Sequence, residues 1–215
     1  MIEKIKEYYD QLSNMTSRAV GIDLGTSNTL IYLKGKGIIT EEPSVVAIDK
    51  MSRQTLAIGN KAKNMVGRTP RNISAIRPLR DGVISNYEIA EEMIKYFLEL
   101  SDEGLINYKI AQPRLVIGIP TSATEVQKRA VREAALSAGA RNAYLIEESI
   151  AAAIGSEVDI SSASGKMIVD IGGGTTETAV LALGTIIAGT SIRYAGDAMD
   201  EAIKEYVRQV YNISL

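Results

Sequence analysis

Short apolar runs separated by glycine-containing turns recur along this chain. Residues 19–22 and 29–33 are apolar, β-branched runs on either side of a turn that contains Gly25, a pattern typical of a β-hairpin. The pattern returns at residues 167–176 and 178–183, around three successive glycines. Further strands are predicted by apolar runs at residues 45–48, 114–119, 143–146 and 186–192.

Helical periodicity occupies stretches between these strands. Helices are predicted at residues 86–100, 148–154 and 197–211. The first of them places on one side Ile89, Met93, Ile94, Phe97 and Leu98. The last carries a stripe of Met199, Ile203, Tyr206, Val207 and Val210. Strands that alternate with helices in this way predict an α/β fold.

One more helix is predicted to open just after Pro120. Ser122 and Glu125 have the spacing of a capping box, and Gly139 stands where a helix is expected to stop. Residues 1–18 also have a helical pattern, with Ile2 among its apolar positions, and we expect a short appended helix or a frayed arm there. Residues 50–80 are more polar and broken, which indicates a small insertion.

Composition narrows the chemistry that is open to the chain. Its 215 residues are 46% hydrophobic and 23% charged, as in an ordinary globular protein. A formal net charge of −2 gives no support for nucleic-acid binding. The absence of Cys and His excludes disulfides, thiolate or imidazole metal ligands and a histidine base. No apolar run approaches a membrane span or a signal peptide, so we expect a cytoplasmic location.

The two glycine-containing turns share one residue pattern. Residues 22–29 and 169–176 both run apolar, Asp, apolar, Gly and then small or polar residues to a Thr. Backbone N–H groups at such turns bind phosphate oxygens, and glycine lets the backbone come close. Asp23 and Asp170 would repel bare phosphate, but they suit Mg²⁺ held through its waters. The pair of turns therefore predicts a clamp for the phosphates of a nucleotide, with ATP as the first ligand to consider.

Each turn taken alone is more simply interpreted as a plain glycine-rich hairpin, and it is the matched pair that favours a phosphate site. Other nucleotide motifs are missing. The chain has no G-x-x-x-x-G-K-[ST] loop, and the run from Gly172 to Glu177 lacks the last glycine of the dinucleotide fingerprint.

Long stretches of the chain resemble the MreB family of bacterial actin-like cytoskeletal proteins, within the actin and heat-shock-chaperone ATPase superfamily. The matching stretches are GIDLGTSNTLIYLKGKGI, EEPSVVAID, AIRPLRDGVI, PRLVIGIPTSATEVQKRAVREAALSAGA, YLIEES, AAAIG, VDIGGGTTETAV and SIRYAGDAMDEAI. The resemblance implies an actin-like ATPase fold with ribonuclease H-like lobes. It divides the chain into an N-terminal extension (1–18), a first-lobe base (19–43 and 80–155), a small inserted subdomain (44–79) and the start of a second lobe (156–215).

The resemblance also implies roles for single residues. Glu148 matches the residue that orients the attacking water, with Thr175 assisting at the γ-phosphate, and Asp23 and Asp170 match the metal-side aspartates. The positions that match the nucleotide-binding residues are Thr26, Ser27, Asn28, Gly173, Gly174, Thr175 and Gly196, the last of them near the ribose. Without the family, an acidic residue at a helix start, favoured by the helix dipole, would be the simpler interpretation of Glu148.

Two further expectations come from the same resemblance. Family members usually have proline after the paired glutamates, so we expect Ser149 to loosen Glu148 and to slow catalysis. Family members also carry a short apolar loop that dips into the bilayer, and here its inserting residues would be Leu105, Ile106 and Tyr108. A contact between this segment and the core is equally compatible with the sequence.

The implied function is an ATP-binding, filament-forming protein on the inner face of the cytoplasmic membrane. With the cell-wall elongation machinery, it would organise wall synthesis and rod shape. Family members continue well beyond residue 215, so we expect a complete first lobe and a truncated second lobe. The alternative is a catalytically weak or inactive chain that acts only as a binding or assembly module. A sugar kinase or chaperone is disfavoured, because nothing resembles a sugar site or a peptide-binding domain.

Overall fold

The computed structural model describes residues 19–65, 72–80, 82–101 and 112–214. Every strand, helix and contact given for this chain belongs to those ranges. The predicted N-terminal helix and the predicted membrane loop with Leu105, Ile106 and Tyr108 lie outside them.

The largest sheet has five strands in the order β10-β9-β1-β2-β3. They are β1 (Ala19–Leu24), β2 (Asn28–Leu33), β3 (Gly37–Pro43), β9 (Arg114–Ile119) and β10 (Asn142–Glu147). The hairpin predicted at the start of the chain is confirmed, since β1 and β2 pair antiparallel. β9 runs parallel to both β1 and β10, so the carboxyl ends of β1, β9 and β10 meet at one edge of the sheet.

Two helices form the core with this sheet. They are α2 (Tyr87–Leu100) and α3 (Glu125–Ser137). The apolar face predicted for residues 86–100 is the buried one, with Phe97 and Met93 fully buried against strand residues such as Leu115 and Ile117. Burial of side chains of this size contributes about 1.5–3 kcal/mol each, so this cluster is the main source of stability.

The polar segment predicted as an insertion at residues 50–80 forms a small sheet together with the strand that precedes it. Its strand order is β5-β4-β6, with β4 (Val46–Asp49), β5 (Thr55–Ile58), β6 (Ile73–Ile76) and the short helix α1 (Asn60–Lys63). A two-stranded ribbon follows, β7 (Leu79–Arg80) with β8 (Val83–Ile84). Glu42 links this part to the core, because its carboxylate accepts hydrogen bonds from Asn60 N (3.1 Å) and from the Tyr96 hydroxyl.

The last third of the chain is a three-stranded antiparallel sheet and one helix. Its strands are β11 (Lys166–Ile171), β12 (Thr176–Ala182) and β13 (Thr185–Ile192), joined to the rest through α4 (Glu148–Gly155) and followed by α5 (Gly196–Tyr211). The helix predicted at residues 197–211 is confirmed as α5. No described residue of α5 is buried, and the stripe residues Met199, Ile203, Tyr206 and Val210 are each more than half exposed.

The start of α3 differs from the prediction. The capping box is formed by Thr124 and Gln127, not by Ser122 and Glu125. The Thr124 hydroxyl accepts from Gln127 N (3.3 Å), and the Gln127 side chain accepts from Thr124 N (2.8 Å). The chain first makes a turn closed by Ala123 N donating to Pro120 O (2.9 Å), which delays the helix beyond Ser122.

This correction can be tested by two matched substitutions. Thr124→Ala should lower the free energy of unfolding by about 1 kcal/mol, because it removes the side chain that satisfies a free N–H of the first turn. Ser122→Ala should change the free energy of unfolding by less than about 0.5 kcal/mol. Urea unfolding followed by circular dichroism measures both values, and an equal cost for the two would contradict the assigned cap.

Candidate phosphate-binding cleft

The two predicted turns are built alike in the structure. Asp23 is the penultimate residue of β1 and Asp170 the penultimate residue of β11. Each strand then turns into its antiparallel partner, through residues 25–27 in the first hairpin and 172–175 in the second. Each aspartate therefore lies at the base of a short turn, and the second turn is closed by Gly172 N–H donating to Thr175 O (2.9 Å).

The tips of the two hairpins contact each other. A Cβ atom added to Gly174 would lie 2.9 Å from the Thr26 hydroxyl oxygen, and one added to Gly173 would overlap Ser27. Any larger residue would force the tips apart. The glycines are therefore required for the close approach of two turns that belong to different sheets.

A cleft of about 840 Å³ lies between the two sheets. Among the predicted site residues, those that line it are Asp23, Thr26, Ser27, Asn28, Glu148, Asp170, Gly173, Gly174 and Thr175. Gly196 lies just behind it, where its N–H donates to Gly172 O (3.1 Å) and supports the second turn. The structure thus brings the predicted residues together, while the roles assigned to them stay predictions.

Residues that the sequence did not single out hold the first turn in place. The Ser44 hydroxyl donates to Gly25 O (2.6 Å), and the backbone N–H of Ser44 donates to Ser27 O (2.9 Å). Gly82 N donates to the Thr26 hydroxyl (2.9 Å). These contacts join positions that are far apart in the chain, so no local sequence signal could have indicated them.

Asp197, at the start of α5, connects the second turn to the first. Its N–H donates to Gly173 O (2.9 Å), and its carboxylate accepts from the Ser27 hydroxyl (3.3 Å). Arg77 pairs with the same carboxylate at 2.6 Å. Both charged side chains are nearly half exposed, so the ion pair contributes at most about 1 kcal/mol and acts mainly to fix the position of Asp197.

Glu148 is the first residue of α4 and points along the cleft. A Cβ atom added to Gly118 of β9 would lie 3.3 Å from Glu148 Cγ, so the side chain passes directly over that glycine. An acid at a helix start has no need to face other acids. Glu148 nevertheless shares the cleft with Asp23 and Asp170, which is the arrangement expected of a site residue.

The carboxyl groups in the cleft disturb one another. Burial raises the pKa of Asp23, and the charge of Asp170 raises it further. Burial, together with the charges of Glu177, Asp23 and Asp170, raises the pKa of Glu148 to about 8. A cation near the two aspartates would relieve this repulsion, which fits Mg²⁺. Among the described residues no cluster could hold a metal ion with side chains alone, so water would complete its shell.

A family model described as MreB/Mbl protein matches residues 17–215, nearly the whole chain. The chain belongs to the MreB/Mbl family. The cell shape-determining protein Mbl of Bacillus subtilis is 50% identical over 200 residues, which cover 93% of this chain and 59% of that protein. The cell shape-determining protein MreB of Escherichia coli is 48% identical over 201 residues, which cover 92% of this chain and 57% of that protein.

Two solved structures have the same fold. MreB5 of Spiroplasma citri bound to AMPPNP superimposes with a TM-score of 0.84 at 33% identity, over 93% of this chain and 59% of that one. MamK, solved as a double helical filament, gives a TM-score of 0.74 at 24% identity, over 91% of this chain and 60% of that one. The predicted actin-like fold is confirmed. This MreB/Mbl chain spans less than two thirds of the length of these relatives. None of its described helices is both long and apolar enough to cross a bilayer.

The raised pKa of Glu148 predicts how stability depends on pH. The folded chain binds this proton more tightly than the unfolded chain does, because the pKa rises from an ordinary 4.5 to about 8 on folding. Stability should therefore fall as pH rises through this window. Glu148→Gln has no carboxyl group to ionise, so its stability relative to the parent should increase by about 3.5 kcal/mol between about pH 5 and pH 8.

Urea unfolding without nucleotide or divalent metal gives the two stabilities at each pH. A difference between variant and parent that stays constant across the pH range would contradict the raised pKa of Glu148.

Proposed function

We propose that the cleft binds the phosphate chain of ATP together with Mg²⁺. The observation that carries this proposal is the contact between two hairpin tips, each with an aspartate at its base and glycine or hydroxyl residues at its turn. The relative MreB5 of Spiroplasma citri has been solved with AMPPNP and with ADP, which supports a nucleotide as the ligand.

Each side of the cleft has its own part in this proposal. Thr26, Ser27 and Asn28 bind phosphate oxygens from the first hairpin. From the second hairpin the phosphates meet Gly173, Gly174 and Thr175, and Gly196 lies toward the ribose. Asp23 and Asp170 would hold Mg²⁺ through its waters, and the ion would neutralise the charge that otherwise repels the phosphates.

Glu148 orients the water that attacks the γ-phosphate, and Thr175 assists at that phosphate. Phosphoryl transfer depends on positioning and on charge stabilisation more than on a strong base, so a carboxylate suits this role. A nearby divalent cation favours the ionised form of Glu148, because positive charge lowers the pKa of a carboxyl group. Glu148 then accepts a hydrogen bond from water when the metal and the phosphates are in place.

In the cell, the protein forms filaments on the cytoplasmic face of the membrane that organise cell-wall synthesis and rod shape. Membership of the MreB/Mbl family supports this, since its relatives in Bacillus subtilis and Escherichia coli are cell shape-determining proteins. Its partners are other copies of itself and the cell-wall elongation machinery. Leu105, Ile106 and Tyr108 insert into the bilayer.

A second candidate function is a module that binds or assembles without turnover. The observation in its favour is the exposed stripe of α5, together with the exposed Met167, Val169 and Ile171 on β11. Such apolar faces are typical of surfaces that bind another polypeptide. The two candidates differ in one measurable property, which is the release of phosphate from bound ATP.

Comparison of Glu148→Gln with Glu147→Gln tests the enzymatic proposal. Glu148→Gln should keep Mg-ATP affinity within about threefold of the parent. It should slow phosphate release by about tenfold or more, because the attacking water is no longer oriented. Glu147 does not line the cleft, so Glu147→Gln should release phosphate at the parent rate. Calorimetric titration and a single-turnover phosphate assay give the two quantities. Equal release by parent and Glu148→Gln would remove Glu148 from the mechanism.

Membrane association can be tested by co-sedimentation with anionic lipid vesicles. The double substitution Leu105→Ser and Ile106→Ser should lower the bound fraction severalfold, because burial of each apolar side chain contributes only about 1–3 kcal/mol. The matched control is Leu56→Ser with Met51→Ser, two exposed apolar residues on the small inserted sheet. If both double variants bind vesicles as the parent does, the proposed insertion is wrong.

A further inference from the structure

Glu177 is a buried acid that the sequence did not single out. It lies on β12, lines the same cleft, and is only 2% exposed. Burial of a charged carboxyl group is costly unless hydrogen bonds replace its water. Three described donors meet it, namely Thr121 N (2.9 Å), the Thr121 hydroxyl (3.0 Å) and the Ser149 hydroxyl (3.3 Å).

These donors belong to the other sheet and its helix. Thr121 follows the end of β9, and Ser149 is the second residue of α4, whereas Glu177 is on the second hairpin. Each hydroxyl has one proton. If both protons go to Glu177, the 3.4 Å contact between the two hydroxyl oxygens is a result of their shared acceptor. Glu177 is therefore the point where β12, the end of β9 and the start of α4 are joined by hydrogen bonds.

The position of Glu177 places it between the phosphate turn and Glu148. It is two residues beyond Thr175 and lies directly across from Asp170 in the β11–β12 pairing. Its acceptor oxygen holds Ser149, which is the residue next to Glu148. Any displacement of the second turn therefore reaches the first turn of α4 through one side chain.

Stability alone does not explain a buried carboxyl group at position 177. The other acids of the cleft are Asp23 on β1, Asp170 on β11 and Glu148 on α4, and a fourth carboxyl group adds to their repulsion. Apolar side chains of similar volume usually stabilise a buried site as well as charged groups do, or better. A positioning role accounts for a carboxyl group that accepts one hydrogen bond from Ser149, next to the water-orienting Glu148, and two from Thr121, just after β9.

We infer that Glu177 is a positioning residue, which fixes Glu148 relative to the second phosphate turn through Ser149 and Thr121. The inference rests on the proposed ATP-hydrolysing function. It also gives Ser149 a different role from the one expected. We expected serine in place of proline to loosen Glu148, but its side chain is fully buried and hydrogen-bonded, so it holds the start of α4 by a different means.

The test uses Glu177→Gln and Ser149→Ala, with Ser156→Ala as the matched control. Ser156 follows the last residue of the same helix, and its hydroxyl donates to Ala152 O (2.8 Å). Ser149→Ala removes the link without changing any charge. Two readouts are measured, namely the ¹³C resonance of the Glu148 carboxyl group in the nucleotide-free chain, and phosphate release with Mg-ATP. The resonance is identified by its loss in Glu148→Gln.

We expect Glu177→Gln and Ser149→Ala to shift or broaden the Glu148 resonance and Ser156→Ala to leave it unchanged. Phosphate release should fall by about tenfold or more in Glu177→Gln and by about threefold in Ser149→Ala, with Mg-ATP affinity kept within about threefold. An unmoved resonance in Ser149→Ala would overturn the inference. So would an affinity loss as large as the rate loss, because Glu177 would then belong to the phosphate site itself.

The two proposals fail in different ways. If the parent chain does not bind Mg-ATP, the proposed function fails, and the Glu148 resonance still decides whether Glu177 and Ser149 fix that side chain. If the parent binds and hydrolyses Mg-ATP while the resonance is unmoved in both variants, the proposed function stands and the positioning role is rejected.

Discussion

Four carboxyl groups, those of Asp23, Asp170, Glu148 and Glu177, line one cleft, and their mutual repulsion is the interaction to which the rest of the site is adapted. Three of them differ in how they are accommodated. Glu177 has three hydrogen-bond donors, whereas Glu148 and Asp23 carry raised pKa values. A divalent cation near Asp23 and Asp170 would relieve the repulsion most directly, because its charge favours the ionised form of both carboxyl groups. The arrangement thus costs stability without a ligand and favours a phosphate ligand that brings a divalent cation with it.

The position of the phosphate turns is the second constraint. The tips approach closely only because Gly173 and Gly174 have no side chains. The contacts that fix the positions of the two turns come from other parts of the chain. Ser44 and Gly82 fix the first turn, and the start of α5 fixes the second through Asp197. The shape of the cleft consequently depends on contacts between separate parts of the chain. A displacement of the second turn is transmitted to the start of α4 through Glu177.

The sequence predicted the features that depend on local pattern. Both hairpins, the buried face of α2 and the doubled turn followed from periodicity and from glycine, because those features need only neighbouring residues. The cap of α3 was placed two residues early, since the turn after Pro120 competes with the helix start. Glu177 was missed because a polar residue in a strand usually faces solvent, and only the contact between β12 and α4 shows that it meets Ser149. The stripe on α5 was recognised, but periodicity cannot say what covers it.

The central claim is that both turns bind the same phosphate chain, and amide NMR of the ¹⁵N-glycine-labelled chain tests it most directly. Addition of Mg-ATP should shift the amide resonances of Gly25, Gly173 and Gly174. Gly35 and Gly184 lie in turns that do not line the cleft, and their resonances should stay in place. Shifts confined to one hairpin, or resonances of all five glycines that remain unchanged at saturating Mg-ATP, would contradict the account.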